Sequence, residues 1–369
     1  MTKVQWLSRW PTGQGHQRSN PFCRDTFLGA LEETGVCSER SGWQPHHLSL
    51  TEEPEPLTLP VYRKTHSWGE YVFDWAWAHA YQQHHLAYYP KLVCAIPYTP
   101  SIGPRSIQPL TADQVGQATE AFEREASEHG FSGCHLLFPD DATAGLWQQT
   151  GWMERRDLQF HWHNPGYRDF DDFLDRFSSR KRKNVRKERR SIADQGLHLE
   201  CFEGRDIDPD RLKQFYVFYH ATYMKRGRHG YLNLEFFQRL LADQADTLVL
   251  FLAYLGDEAV AGALCFRDSD TLYGRYWGSL EEFHNLHFET CYYQGIDYCI
   301  RNGLTRFDPG TQGEHKVARG FEPRITRSYH WLAHPEFNQA ARRFCEEEAE
   351  MVEHYRREMT DALPFKQMD

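Results

Sequence analysis

The sequence predicts a mixed α/β (α+β) fold built twice over, as two tandem domains that each carry a mostly antiparallel sheet flanked by helices. Three observations lead there. The chain has 369 residues, beyond the size at which a single hydrophobic core keeps growing. Apolar residues make up 40% and aromatics 15%, ample for two packed cores. Finally, periodic segments run helix, several alternating strands, helix, strand, once before Asn164-Pro165-Gly166 and again after it. The expected domains are therefore 1–164 and 165–369.

In the first half, Phe27, Leu28, Ala30 and Leu31 mark a short amphipathic helix that ends at Gly35. His47 to Leu50, Leu57 to Lys64 and Glu70 to Asp74 alternate like antiparallel strands around a Pro-rich loop, Glu53 to Pro60. Lys91 to Pro97 is a short apolar run suited to a buried strand, and Pro100 to Arg105 then breaks regular structure. Thr111 is placed to cap a helix that reaches Gly130, with Asp113 in its first turn. A strand (His135 to Phe138), a helix (Ala142 to Thr150) and a strand (Asp157 to His163) complete the half.

The second half begins with a helix over Asp169 to Ala193 and a strand over Leu197 to Phe202. Helices follow at Asp210 to Lys225 and Leu234 to Asp243. Strands at Thr247 to Leu255, Ala259 to Arg267 and Thr271 to Gly278 precede a helix from Phe288 to Asn302 and a strand from Leu304 to Asp308. An acidic helix, Pro335 to Met359, closes the chain. No strand–GxGxxG–helix appears, which argues against a dinucleotide fold.

Composition narrows the function. No run approaches the roughly 18–20 apolar residues that span a bilayer, and Met1 to Trp10 lacks a secretory h-region, so the expected location is the cytoplasm. Nine scattered cysteines without a C-x-x-C pair argue against disulfides and a Cys-type zinc site. The pairs His46-His47, His84-His85 and His161-x-His163 lack a third ligand at helical spacing, so no metal is expected. Net charge is −10, which disfavours a nonspecific nucleic-acid coat and leaves anion binding to local patches.

Four stretches carry a resemblance. Leu146-Trp147-Gln148-Gln149-Thr150-Gly151-Trp152 resembles the late L-Y-x-x-x-G-F motif of GNAT acyltransferases. Ser179-Arg180-Lys181-Arg182-Lys183-Asn184-Val185-Arg186-Lys187 resembles the basic helix that opens the second domain of FemAB-type enzymes. Phe215 to Tyr219, with Thr222, Arg226 and Gly227, resembles their F-x-x-x-Y-x-x-T-x-x-R-G stretch. Phe307-Asp308-Pro309-Gly310, with Lys316 and Gly320-Phe321, resembles their strand-end Asp-x-Gly followed by a lysine and an aromatic. The chain is thus similar to FemAB-like members of the GNAT superfamily, predicted N-acyltransferases of the peptidoglycan biosynthesis or recognition type. The resemblance implies two GNAT-like domains, the first degenerate and acceptor-side, the second catalytic. Neither half keeps the R/Q-x-x-G-x-G/A loop that cradles the CoA pyrophosphate: the stretches there are Gly103 to Gln108 and Leu280 to His287. That loss favours aminoacyl-tRNA over acyl-CoA as co-substrate, with no tightly bound cofactor.

Arg180, Lys181, Arg182, Lys183, Arg186, Lys187, Arg189 and Arg190 put eight cations in eleven positions. They suit phosphates of a tRNA, a nucleotide sugar or a lipid-linked acceptor, or else form a solvated face. Arg275, beside Tyr276 and Trp277, suits a carboxylate or phosphate clamp, or an ion pair with Glu289 or Asp308. Glu289 or His287 is a candidate base and Tyr292 a candidate proton donor, while Glu289 equally suits the helix dipole. The loop Asp308 to Lys316, including Gln312 and His315, lies at a strand's carboxyl end and displays its polar groups there, or merely connects elements. The resemblance places Lys316 near the reacting carbonyl, as an oxyanion-stabilising ammonium. Tyr98, Thr99 and Arg105 are acceptor-side candidates. The leading function is aminoacyl transfer to an amine of a peptide-like precursor. Acetyl-CoA-dependent acetylation and non-catalytic binding of peptidoglycan precursors or RNA are the alternatives.

Overall fold

The computed structural model describes residues 3–11, 20–51, 56–106, 108–225, 227–311 and 313–366. Its elements begin with β1 (Lys3–Leu7), α1 (Asp25–Glu33), β2 (Trp43–Pro45), β3 (His47–Thr51), β4 (Leu57–Leu59) and β5 (Val61–Lys64). These lead to α2 (Trp75–Gln83), β6 (Lys91–Cys94), α3 (Ala112–His129), β7 (Gly133–Leu137) and α4 (Asp141–Trp147). Local chemistry sets the best-defined of these. Thr111 and Gln114 form a reciprocal capping box at the start of α3, and Gly130 ends it in the left-handed region at φ 71°. The apolar face of α3 (Val115, Ala118, Phe122, Ala126) packs on Leu92, Cys94, Leu136 and Trp147. The sheet beneath runs β2-β5-β6-β7 and is antiparallel except for β6 and β7, which α3 joins as a parallel crossover. A small antiparallel sheet, β1-β3-β4, lies in the same unit.

Strand β8 (Met153–His163) leads into the second unit, which contains α5 (Phe170–Asp175), α6 (Ser179–Asp194), β9 (Leu197–Glu203), α7 (Pro209–Met224) and α8 (Leu234–Gln244). Next come β10 (Leu248–Leu255), β11 (Glu258–Arg267), β12 (Thr271–Ser279), α9 (Leu286–Phe288), α10 (Gln294–Arg301) and β13 (Arg306–Asp308). The sheet order is β8-β13-β12-β11-β10-β9, again antiparallel except for one pair, β12 and β13. Helix α7 lies so close to β12 that a Cβ on Gly278 would sit 2.0 Å from the Phe218 carbonyl carbon. Only glycine permits that approach, and it aims Tyr219, Thr222 and Tyr223 over the sheet.

The structure departs from the sequence reading in four places. Glu70 to Asp74 is not a strand, because both carboxylates turn inward onto Lys91. The single helix expected over Asp169 to Ala193 is two, interrupted where Ser178 N donates to Pro364 O and Phe177 bridges Phe365. Strands β1, β2 and β14 (Glu322–Leu332) and helix α2 were not anticipated. Lastly, the compact units are 1–158 with 325–354, and 159–324 with 355–369. They differ from a linear division at 164/165, because β14 returns the chain to the first unit, where its residues Ser328 to Leu332 pair with β7. The last helix, α11 (Pro335–Asp361), follows.

Candidate active site

Strand β13 ends at Asp308-Pro309-Gly310, and the loop that follows needs positive φ at Gly310 (92°) and Gly313 (114°). A side chain at either position would be strained. Asp308 pins the loop from below: one oxygen accepts from Gly310 N at 2.9 Å, the other from Arg275 Nη2 at 2.6 Å. The chain then coils through Glu314–Arg319 and buries Lys316 to 1% exposure. The Lys316 ammonium donates to the Gly310 carbonyl at 2.5 Å.

Between α9 and α10 the backbone widens into a π turn, Glu289–Tyr293, a device often found where a helix must present a functional side chain. There the Tyr292 hydroxyl meets His315 Nε2 at 2.8 Å. His287 sits with its ring 5.3 Å from Tyr292, 5.4 Å from Trp277 and 6.2 Å from His315. Arg319 stacks 3.5 Å over Phe288 and donates to the His315 carbonyl at 2.7 Å and to Glu188 at 2.8 Å, which holds the coil in place.

These groups share a cavity of about 390 Å³ lined by residues of the second unit. Helix α7 contributes Tyr219, Thr222 and Tyr223. Strand β12 contributes Gly274 to Trp277, and the loop contributes Pro309 to Thr311, His315 and Lys316. His287, Cys291 and Tyr292 complete the wall. Burial pulls Lys316 down to about 8, with Asp308 opposing and Arg275 reinforcing the shift. Burial, with nearby His315, Lys316 and Arg319, lowers His287 to about 4. It also lowers His315, helped by Arg319 and Lys316, and raises the Tyr292 hydroxyl. At neutral pH the site therefore combines a mostly protonated amine, neutral imidazoles and a phenol that keeps its proton. Such a set can stabilise negative charge on oxygen and pass a proton.

Lys316, His315, Tyr292, His287, Arg275, Tyr276 and Trp277 are thus brought together as the sequence suggested. One terminal nitrogen of Arg275 donates to Asp308, the structural pairing weighed against a clamp, while the residue lines the cavity. Other candidates are not brought into the cavity. Asp308 is itself buried and anchors the loop. Glu289 is unsuited as a base, since Arg189 at 3.1 Å and Gln294 at 2.8 Å occupy its carboxylate and it does not line the cavity. Arg105 belongs to the first unit and is buried, donating to the carbonyls of Ser101, Gly103, Pro104 and Leu137. It holds its own loop; Tyr98 and Thr99 are buried as well. Gln312 and Arg226 lie outside the described residues.

On the basic helix, Arg182 and Arg186 are paired with Asp175 and Asp171 at 2.7 Å each. Among the described residues, no carboxylate pairs with Arg180, Lys181, Lys183, Lys187 or Arg190. The sequence reading missed Cys291, Tyr223 and the wall formed by α7. The i, i+4, i+7 spacing of Phe215, Tyr219 and Thr222 was the available signal. Among the described residues, no cluster of three or more His, Cys, Asp or Glu is arranged to hold a metal.

A family model described as peptidoglycan biosynthesis/recognition, FemAB-like, matches residues 2–367. Among solved structures the fold is similar to FemX, at TM-score 0.52 and 12% identity, covering 88% of this chain and 95% of that one. It is also similar to L-PGS from Bacillus licheniformis, at TM-score 0.51 and 11% identity, covering 90% and 98%. A tandem GNAT protein from the clavulanic acid biosynthesis pathway aligns more loosely, at TM-score 0.39 and 10% identity, covering 91% and 99%. No curated protein sequence matches the chain.

Proposed function

We propose that the chain, which belongs to the FemAB-like family of peptidoglycan biosynthesis/recognition proteins, is an acyltransferase that moves an aminoacyl group from aminoacyl-tRNA to an amine of a peptidoglycan-precursor-like acceptor. One observation carries the reading: a buried lysine, held at the end of a strand by a pinned glycine loop, faces a cavity beside a Tyr–His pair.

In this reading the neutral acceptor amine attacks the ester carbonyl, and a C–N bond forms as charge moves to the carbonyl oxygen. The Lys316 ammonium donates to that oxyanion. Collapse breaks the C–O bond to the ribose. His315, in contact with Tyr292, takes the proton from the nitrogen, and the pair returns it to the departing ribose oxygen, so the reaction balances without a further co-reactant. The unpaired cations of α6 (Arg180, Lys181, Lys183, Lys187 and Arg190) contact phosphates of the donor, and none of them is needed for the chemistry.

Intact-mass analysis of candidate amines tests this, after incubation with a charged tRNA pool in one arm and an acyl-CoA pool in the other. An aminoacyl mass shift in the tRNA arm alone is expected. Acetylation in the CoA arm, with none from tRNA, overturns the donor assignment.

A further inference from the structure

We infer that the cavity of the second unit accepts acyl groups whose side chain is uncharged and turns away those with a fixed positive charge. This deepens the aminoacyl-transfer reading and rests on it.

Among the described residues that line the cavity there are two strong cations, Arg275 and Lys316, and no Asp or Glu. The carboxylate beneath the loop, Asp308, is 2% exposed and already accepts from Arg275 and from Gly310 N. The opposite wall is aromatic: Tyr219 lies 5.0 Å from Tyr223 and 5.8 Å from Tyr276, with Trp277 next on the strand. The Tyr276 hydroxyl is buried there without a hydrogen-bond partner.

An acyl side chain ending in an ammonium would have to enter beside Lys316 with no counter-ion, or shed its proton first. At pH 7, shedding it costs roughly a 10³-fold loss in affinity for a lysyl side chain, but only about fivefold to tenfold for the α-amine that every aminoacyl ester carries. Cation–π contact with the tyrosine faces would return about thirtyfold at best. The balance still favours an uncharged side chain, while the α-amine imposes no such bar. Specificity therefore comes from a missing partner and from repulsion, not from an added contact.

The norleucyl and lysyl amides of 3′-amino-3′-deoxyadenosine make the test, because they share the same four side-chain carbons and the lysyl amide adds a terminal ammonium. With the full-length protein at pH 7, the norleucyl amide is expected to bind at least about fiftyfold more tightly, and the gap should narrow by about tenfold per pH unit above pH 8. Thr222→Glu, which adds a carboxylate to the wall, should shrink the gap at pH 7 by at least about tenfold. Equal binding of the two amides, a pH-independent ratio, or an unchanged ratio in Thr222→Glu overturns the inference and leaves acyl transfer standing. Binding of neither amide, with acyl-CoA bound instead, overturns the aminoacyl reading and this inference with it.

Discussion

Each unit buries a lysine, and the two have opposite fates. Lys91, at the start of β6 in the first unit, is fully buried and donates to Ser67 at 2.9 Å, to Glu70 at 2.8 Å and to Asp74. Burial alone would lower its pKa, but Asp74 and Glu70 outweigh burial and raise it. Lys316, in the second unit, is buried as deeply but donates to a backbone carbonyl, and burial wins. The same residue type is a structural ion in one case and a poised cation in the other. What separates them is whether buried carboxylates bond the ammonium directly, as Glu70 and Asp74 do for Lys91. The parallel strand pairs tell the same story. In the first unit the loop after β6 turns back on itself, with Gly103 bridging Pro139 and Arg105 spent on four backbone carbonyls. In the second unit the corresponding pair, β12 and β13, opens onto the cavity.

That contrast breaks first at Lys91. Lys91→Met strands two buried carboxylates, and it should cost about 3–5 kcal/mol in denaturant unfolding. A loss below about 1 kcal/mol would mean the network is not holding the unit together. Lys316→Met should do the reverse, lowering kcat by about 10²–10³-fold with no loss of melting temperature. Its pH profile sharpens the point: wild-type kcat should fall as pH rises through about 8, where Lys316 loses its proton. A plateau to pH 10 would exclude the ammonium as the oxyanion donor.

A subtler effect is expected at Glu70, whose carboxyl is pushed up to about 7 by burial and by Asp74, against Lys91, while Lys91 overcomes burial to hold Asp74 down at about 2. A carboxyl raised in the folded state is destabilising once the unfolded chain ionises, so that penalty grows from about pH 4.5 to pH 7. Glu70→Gln should therefore stabilise the protein by roughly 1–2 kcal/mol at pH 8, and the gain should vanish below pH 4.5. Equal stability at both pH values contradicts the assignment. The smallest change expected is in Tyr292→Phe, which removes the hydroxyl 2.8 Å from His315. A fall in kcat of about tenfold or less, with KM unchanged, fits a relay that His315 can partly run alone.

Much of the fold was legible along the chain, because its signals are local. The Thr111 cap, the Gly130 stop, the apolar runs of β10 and β11 and the Asp308-Pro309-Gly310 turn each depend on residues a few positions apart. So does the loop that carries His315 and Lys316. Only the tertiary structure decided which buried charges meet. Arg275 chose Asp308, 33 residues away, and Glu289 went to Arg189, 100 residues away. Glu70 and Asp74, which alternate like a strand, turned to Lys91. Likewise β14 found its partner in β7, and α7 approached Gly278. A caps-and-periodicity reading sees the backbone's local preferences, whereas the free energy of a buried charge depends on the group that happens to lie across the fold, and no spacing in the sequence encodes that distance.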